Sequence, residues 1–321
     1  MVVKELHSAP SLSTLYPKAA LGGLLPGGKG GGALPDTEYV RPDVVVDPAH
    51  LAAYNEVCGF RLSDDLPATY PHILAFPLQI ALMTEQAFPF PLLGMVHVAN
   101  RITQRRPVRL GESFTLRVRA ENLRPHEKGQ QFDVVSEVIP SRAPEDGPVW
   151  TDVSTYLRRG GGSGEQSGKR EQLAPPSPNA IWRVPGDIGR RYAEVSGDRN
   201  PIHLHPLTAR MFGFPSAIAH GMWTKAHSLA AFEGRLPDAY TVDVRFKLPV
   251  LLPAKAAFTT WKNHDGPPDG SGEGSGDGSG DGSAGGAERL RGGWRSGDGW
   301  AFELWNARKP KPHLEGTITA L

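Results

Sequence analysis

The sequence predicts an α+β protein: two similar units in tandem, each one long apolar helix against an antiparallel sheet. Three observations lead there. A weak repeat runs through the chain, with Tyr54-Asn55-Glu56-Val57-Cys58-Gly59-Phe60 echoed by Tyr192-Ala193-Glu194-Val195-Ser196-Gly197-Asp198. Pro71–Phe76 is echoed by Pro215–His220, and Arg106–Leu110 by Leu248–Leu252, at offsets of 138, 144 and 142 residues in the same order. Each half also holds one helical run apolar on several sides, 73–87 and 219–233, followed by strand-like alternation.

The strands follow in order. The first half offers Leu93–Arg105, Ser113–Glu121, Gln131–Pro140 and Val149–Arg158. In the second of these, Phe114, Leu116, Val118 and Ala120 share one face. The second half offers Ala239–Leu248, Ala256–Lys262, Trp300–Ala307 and Leu314–Leu321. Residues 1–158 form the first predicted domain and 175–321 the second, with a Gly/Ser-rich linker at 159–174. Residues 266–287 hold 10 glycines and four acidic residues, too little apolar surface to pack, and read as a disordered insert within the second domain.

Composition narrows the function. Of 321 residues, 39% are hydrophobic, enough for a sizeable core, and 35 basic residues balance 34 acidic ones, giving no nucleic-acid footprint. The single cysteine, Cys58, excludes an internal disulfide framework and sits in an apolar context. There is neither an apolar run of about 18 residues nor an apolar leader at the N-terminus, so a cytoplasmic protein is expected. Gly23–Lys29 has the spacing of a phosphate loop. Gly30 follows where Ser or Thr would hold magnesium, and no strand precedes it, so a Gly-rich surface turn is expected.

The chemistry concentrates at YAEVSGDRNPIHLH, 192–205, and IAHGM, 218–222. Where the second half has Asp198, the first has Phe60; where it has His220-Gly221, the first has Phe76-Pro77. Polar equipment is therefore expected in the second half only. Asn200-Pro201 breaks helical geometry and turns the chain, which brings Asp198 and His203 toward one point. A solvated loop, a metal site using Asp198, His203 and His205, and an acid–base pair around one water are all open readings. Gly221, at the start of the apolar helix, has an unobstructed N–H suited to a developing oxyanion.

Asp198-Arg199-Asn200-Pro201-Ile202-His203 and Ile218-Ala219-His220-Gly221-Met222 resemble the paired motifs of the MaoC-like, (R)-specific enoyl-CoA hydratase family. The clear match covers 185–260. The resemblance implies a double hotdog fold with a degenerate first copy, so that one chain equals a dimer of single hotdogs; a further homodimer stays open. It implies reversible hydration of trans-2-enoyl thioesters in fatty acid metabolism, on CoA or an acyl carrier, with no cofactor and no metal. Asp198 and His203 would hold the water, and the Gly221 amide would polarise the thioester carbonyl. Asn200, His220, Met222 and Trp223 would bind substrate. A thioesterase on the same fold and a non-catalytic acyl-thioester binder are the alternatives. One departure is Ala226, where the family often has a serine near the catalytic Asp; Asn200 or Thr224 would then orient Asp198. Deleting 268–286 is expected to leave soluble yield and unfolding midpoint unchanged, because the segment has little apolar surface to contribute; a loss of either would show that it packs.

Overall fold

The computed structural model describes residues 1–16, 32–92, 94–160, 175–263 and 297–321. The Gly23–Lys29 turn, the linker beyond 160 and the 266–287 insert lie outside the described residues. Eleven strands form one sheet. The first half contributes β1 (Val2–Glu5), β2 (Thr37–Val44), β3 (Met95–Gln104), β4 (Phe114–His126), β5 (Gly129–Pro140) and β6 (Trp150–Arg159). The second contributes β7 (Ala180–Val184), β8 (Tyr240–Phe246), β9 (Ala254–Lys262), β10 (Gly299–Asn306) and β11 (Pro312–Ala320). The order is β1-β2-β4-β5-β6-β3-β8-β11-β10-β9-β7. Apart from the parallel β1–β2 pair, every neighbour is antiparallel. Five strands of one half thus mirror five of the other across β3–β8, and the chain folds as a double hotdog.

The expected eight strands all form, each beginning within two residues of its predicted start. The outer strands β2 and β7 escaped prediction. Pro42 interrupts β2 and coincides with a register shift between Arg41 and Val44, as Pro does on an edge strand. β7 is five residues long and its alternation is correspondingly short.

Six helices line the sheet: α1 (Pro48–Cys58), α2 (Tyr70–Met83), α3 (Ile188–Ser196), α4 (Pro201–Leu204), α5 (Pro206–Met211) and α6 (Gly221–Ala230). In α2 every residue except Leu74 and Pro77 is buried, which explains its lack of a polar face. The first repeat run is structural: α1 and α3 end alike on left-handed glycines, Gly59 at φ 86° and Gly197 at φ 75°. The third is too. Leu66 N–H donates to Val108 O, and Ala219 N–H to Val250 O, pinning the approach to α2 and α6 respectively.

The second repeat run is not equivalent. Pro71–Phe76 makes the first turns of α2, whereas Pro215–His220 precedes α6, because α4 and α5 lengthen the second half. Phe76-Pro77 therefore does not stand where His220-Gly221 stands. The N-caps correspond instead, Thr69 for α2 and His220 for α6. Phe60 is only partly buried, stacked on Tyr54 at 6.4 Å, and not the fully packed residue expected.

The halves join along β3–β8, from Ala99↔Arg245 to Gln104↔Tyr240. Above this junction lies a buried polar network. Lys225 of α6, fully buried, donates from Nζ to Asn100 O (3.0 Å), Asn100 Oδ1 (2.5 Å) and Val242 O (3.2 Å). Asn100 Nδ2 donates to Asp152 Oδ1 at 2.6 Å, and Asp152 Oδ2 accepts from His72 Nδ1 of α2 at 2.5 Å. The two long helices thus meet through polar side chains, on one face of the sheet. Burial pushes Lys225 down to about 7, against the attraction of Asp152. Lys225→Met should lower the urea midpoint by the equivalent of about 3 kcal/mol, since it strips three acceptors of their donor and leaves Asp152 short of positive charge; an unchanged midpoint would show that the junction does not need this network.

Candidate active site

Local sequence builds the polar end of the site. Gly197 ends α3 and places Asp198 at the start of the turn. Asn200 caps α4, its Oδ1 accepting from Ile202 N–H at 3.4 Å, with Pro201 at the first helical position. That one turn of helix carries His203. Its Nδ1 lies 2.8 Å from Ile218 O, and a carbonyl only accepts, so the proton sits on Nδ1 and Nε2 is left as the acceptor facing the cavity. His220 Nε2 donates to Asp198 O at 2.9 Å, and its ring stacks on His203 with centroids 3.7 Å apart. One ligand-type atom from each of Asp198, His203 and His220 lies within 4.8 Å of the others. Among the described residues this is the one cluster that could hold a metal ion, and the same spacing suits one shared water.

Electrostatics fixes the protonation states. Burial opposes ionisation of Asp198, but His220, His203, the Tyr16 hydroxyl and the Asn200 N–H outweigh it, holding the carboxyl below its usual range. Burial pushes His203 down, against the pull of Asp198. Burial and the neighbouring His203 push His220 down to about 3. Near neutral pH the site therefore presents one carboxylate beside two neutral imidazoles.

Gly221 opens α6, so its N–H has no intrahelical acceptor and lies at the positive end of the helix. A Cβ here would come within 3.1 Å of the Phe246 ring, so only glycine lets the backbone approach so closely. These groups share one cavity of about 440 Å³. Its opposite wall comes from the first half: Ile73, Phe76, Ile80 and Met83 of α2, with Tyr156 of β6.

Asp198, Asn200, His203, His220, Gly221 and Met222 all line the cavity. Trp223 does not. Helical rotation past Met222 turns it toward α1, where Nε1 donates to Val57 O at 3.0 Å and the indole stacks on His227. His205 is exposed and caps α5 by accepting from Leu207 N–H, so it does not join His203. Neither expected orienting side chain serves Asp198. Thr224 Oγ1 donates to Gly221 O at 2.6 Å, and Asn200 contributes its backbone N–H at 3.2 Å while its side chain caps α4.

The stronger donor is Tyr16, at the end of a short helical stretch, 12–16, near the N-terminus. Its hydroxyl donates to Asp198 Oδ1 at 2.8 Å. Burial, then the Asp198 carboxylate, push the phenol well up, so it stays O–H. It occupies the functional place of the missing serine beside Ala226, which is fully buried. No motif marks Tyr16 in the sequence. The expectation that only the second half is polar also fails, since His72, His97 and Tyr156 line the same cavity. His72 was legible as the polar residue within Pro71–Phe76.

Comparison with known proteins accords with this geometry. Residues 175–275 match the MaoC like domain model. The chain is 38% identical over 293 residues to 3-hydroxyacyl-thioester dehydratase X of Mycobacterium tuberculosis, covering 90% of this chain and 91% of that protein. It is 27% identical over 224 residues to the enoyl-CoA hydratase ChsH3 of the same organism, covering 65% and 77% respectively. The crystal structure of HtdX from M. tuberculosis superposes with a TM-score of 0.69 at 36% identity, covering 88% of this chain and all of that one. With two motif runs converging on one cavity and a relative matched nearly end to end, the chain belongs to the MaoC-like dehydratase family.

Proposed function

We propose that the protein is an (R)-specific enoyl-thioester hydratase, acting in reverse as a 3-hydroxyacyl-thioester dehydratase. The observation that carries this reading is the convergence of the Asp198 carboxylate, the free Nε2 of His203 and the Gly221 amide on one cavity with an apolar far wall. A water held between Asp198 and His203 adds its oxygen to C3 of the enoyl chain while a proton passes to the acid–base pair. Negative charge then builds on the thioester oxygen, where the Gly221 N–H and the α6 N-terminus stabilise it. Return of the proton to C2 completes the 3-hydroxyacyl thioester. Water is the only co-reactant, so the reaction requires no redox group.

Several finer readings accompany this one. The pantetheine arm common to CoA and carrier protein is the shared recognition element. The span 1–158 serves as a degenerate hotdog that walls the acyl tail, and 175–321 carries the chemistry. One chain is then equivalent to a dimer of single hotdogs, compatible with further homodimerisation. No helix among the described residues is long and apolar enough to cross a membrane, and the single buried cysteine suits a cytoplasmic enzyme.

Purified protein should discharge the enoyl absorbance of crotonyl-CoA or a longer 2-enoyl-CoA without releasing free thiol. Silence across short, medium and long chains on both carriers would overturn the reading, and thiol release would mark a thioesterase. Asp198→Asn and His203→Ala should each lower kcat by ~100-fold or more with the fold retained. Tyr16→Phe should lower kcat by about tenfold and move the acid limb of the pH profile upward. The sign follows from the hydrogen bond: Tyr16 helps hold Asp198 low, so its loss raises that carboxyl and protonates it at higher pH. An unmoved limb would show that Tyr16 is merely structural.

A further inference from the structure

The cavity wall supplied by the first half is not uniformly apolar. Two polar atoms interrupt it, and neither has a protein partner. His72 is 4% exposed, and its Nδ1 is committed to Asp152 Oδ2 at 2.5 Å. Asp152 is itself fully buried, accepts from Asn100 Nδ2 at 2.6 Å and Ser154 Oγ at 3.0 Å, and is held ionised against its burial by His72 and Lys225. An ionised carboxylate only accepts, so the proton on His72 stays at Nδ1 and its Nε2 is a fixed acceptor. His72 lines the cavity, and its Nε2 is not among the atoms sealed in the core. Tyr156 Oη lies in the same condition, on a ring stacked against His97 at 4.8 Å. Burial keeps that phenol protonated, so it can both donate and accept.

These groups sit beyond the reacting carbons. The Phe246 ring touches Gly221 on one side and lies 5.1 Å from the His97 ring on the other. His97 in turn lies 6.2 Å from His72. A thioester carbonyl at Gly221 with its tail running toward α2 therefore passes Phe246 and meets His72 and Tyr156 among Ile73, Phe76 and Ile80. A plain hydrocarbon tail would seal an imidazole acceptor and a phenol hydroxyl away from any partner, which is costly. A tail hydroxyl would instead donate to His72 Nε2 or exchange hydrogen bonds with Tyr156 Oη.

We infer that this wall is a hydroxyl-recognition subsite, and that the acyl thioesters preferred by the protein carry a hydroxyl on the tail, away from the C2–C3 bond. The inference rests on the reading of the cavity as an acyl-thioester site. It goes beyond that reading by naming the kind of tail.

The test uses saturated ligands, which cannot be hydrated and so separate recognition from turnover. Calorimetric Kd values would be measured on the full chain for decanoyl-CoA and for its mid-chain and terminal hydroxy derivatives. At least one hydroxy derivative should bind about fivefold to tenfold tighter than decanoyl-CoA, the yield of one or two well-made hydrogen bonds. Tyr156→Phe removes only the hydroxyl and should cut that preference; His72→Phe should do the same if its melting curve shows a fold. Equal or tighter binding of decanoyl-CoA than of every hydroxy derivative would overturn the inference, with the two polar atoms then satisfied by water. So would a preference that survives both substitutions. Failure to hydrate 2-decenoyl-CoA, with the hydroxyl preference intact, would overturn the hydratase reading and leave this one standing. Binding of no acyl-CoA at all would overturn both.

Discussion

The pairing of β3 with β8 is the constraint on which the rest of the structure depends. It makes two five-stranded units into one continuous sheet and sets α2 and α6 on the same face. Backbone hydrogen bonds alone would leave register loosely specified at such a junction. The side chains above it specify it more tightly. Lys225 reaches from α6 to carbonyls on both β3 and β8, and Asn100 passes the connection through Asp152 to His72 on α2. A one-residue slip would unmake every one of these bonds and leave buried polar groups unpaired.

The shared cavity follows from that junction. Neither half encloses it alone. The second half brings the carboxylate, the imidazoles and the helix N-terminus; the first brings the apolar length of α2. The asymmetry between the halves has a local origin. Between α3 and α6 the second half carries α4 and α5, and the Asn200-Pro201 turn that starts them folds His203 back against Ile218 O. Between α1 and α2 the first half has no such segment, so Thr69 takes the N-cap position held by His220 and bonds Tyr54 instead. The first half still reaches the polar end by another route, since Tyr16 crosses over to Asp198.

Much of this was legible in the sequence. Period-2 alternation located the eight inner strands because each has one face on the core. The Asp198-to-His203 and Ile218-to-Met222 runs declared the polar end because turn chemistry, helix start and reactive groups are all local there. What was missed depends on contacts far apart in sequence. Tyr16 meets Asp198 across 182 residues and belongs to no motif. Tyr156 and His97 look like ordinary strand residues until β3 and β6 pair. Trp223 was misplaced because one residue's step around α6 decides between cavity and α1. The second repeat run misled for a related reason: its letters matched while an inserted pair of helices had moved the α6 N-terminus.

The central claim is that two fused units make one working centre, with the first half as wall and the second as chemistry. The most direct test is the binding stoichiometry of a saturated medium-chain acyl-CoA, measured by calorimetry on protein of known active concentration. One ligand per chain is the result this structure predicts, whatever the oligomeric state. Two equivalent ligands per chain would contradict it, because they would require a second acyl-thioester site in the half that lacks the Asp-x-Asn-Pro-x-His turn.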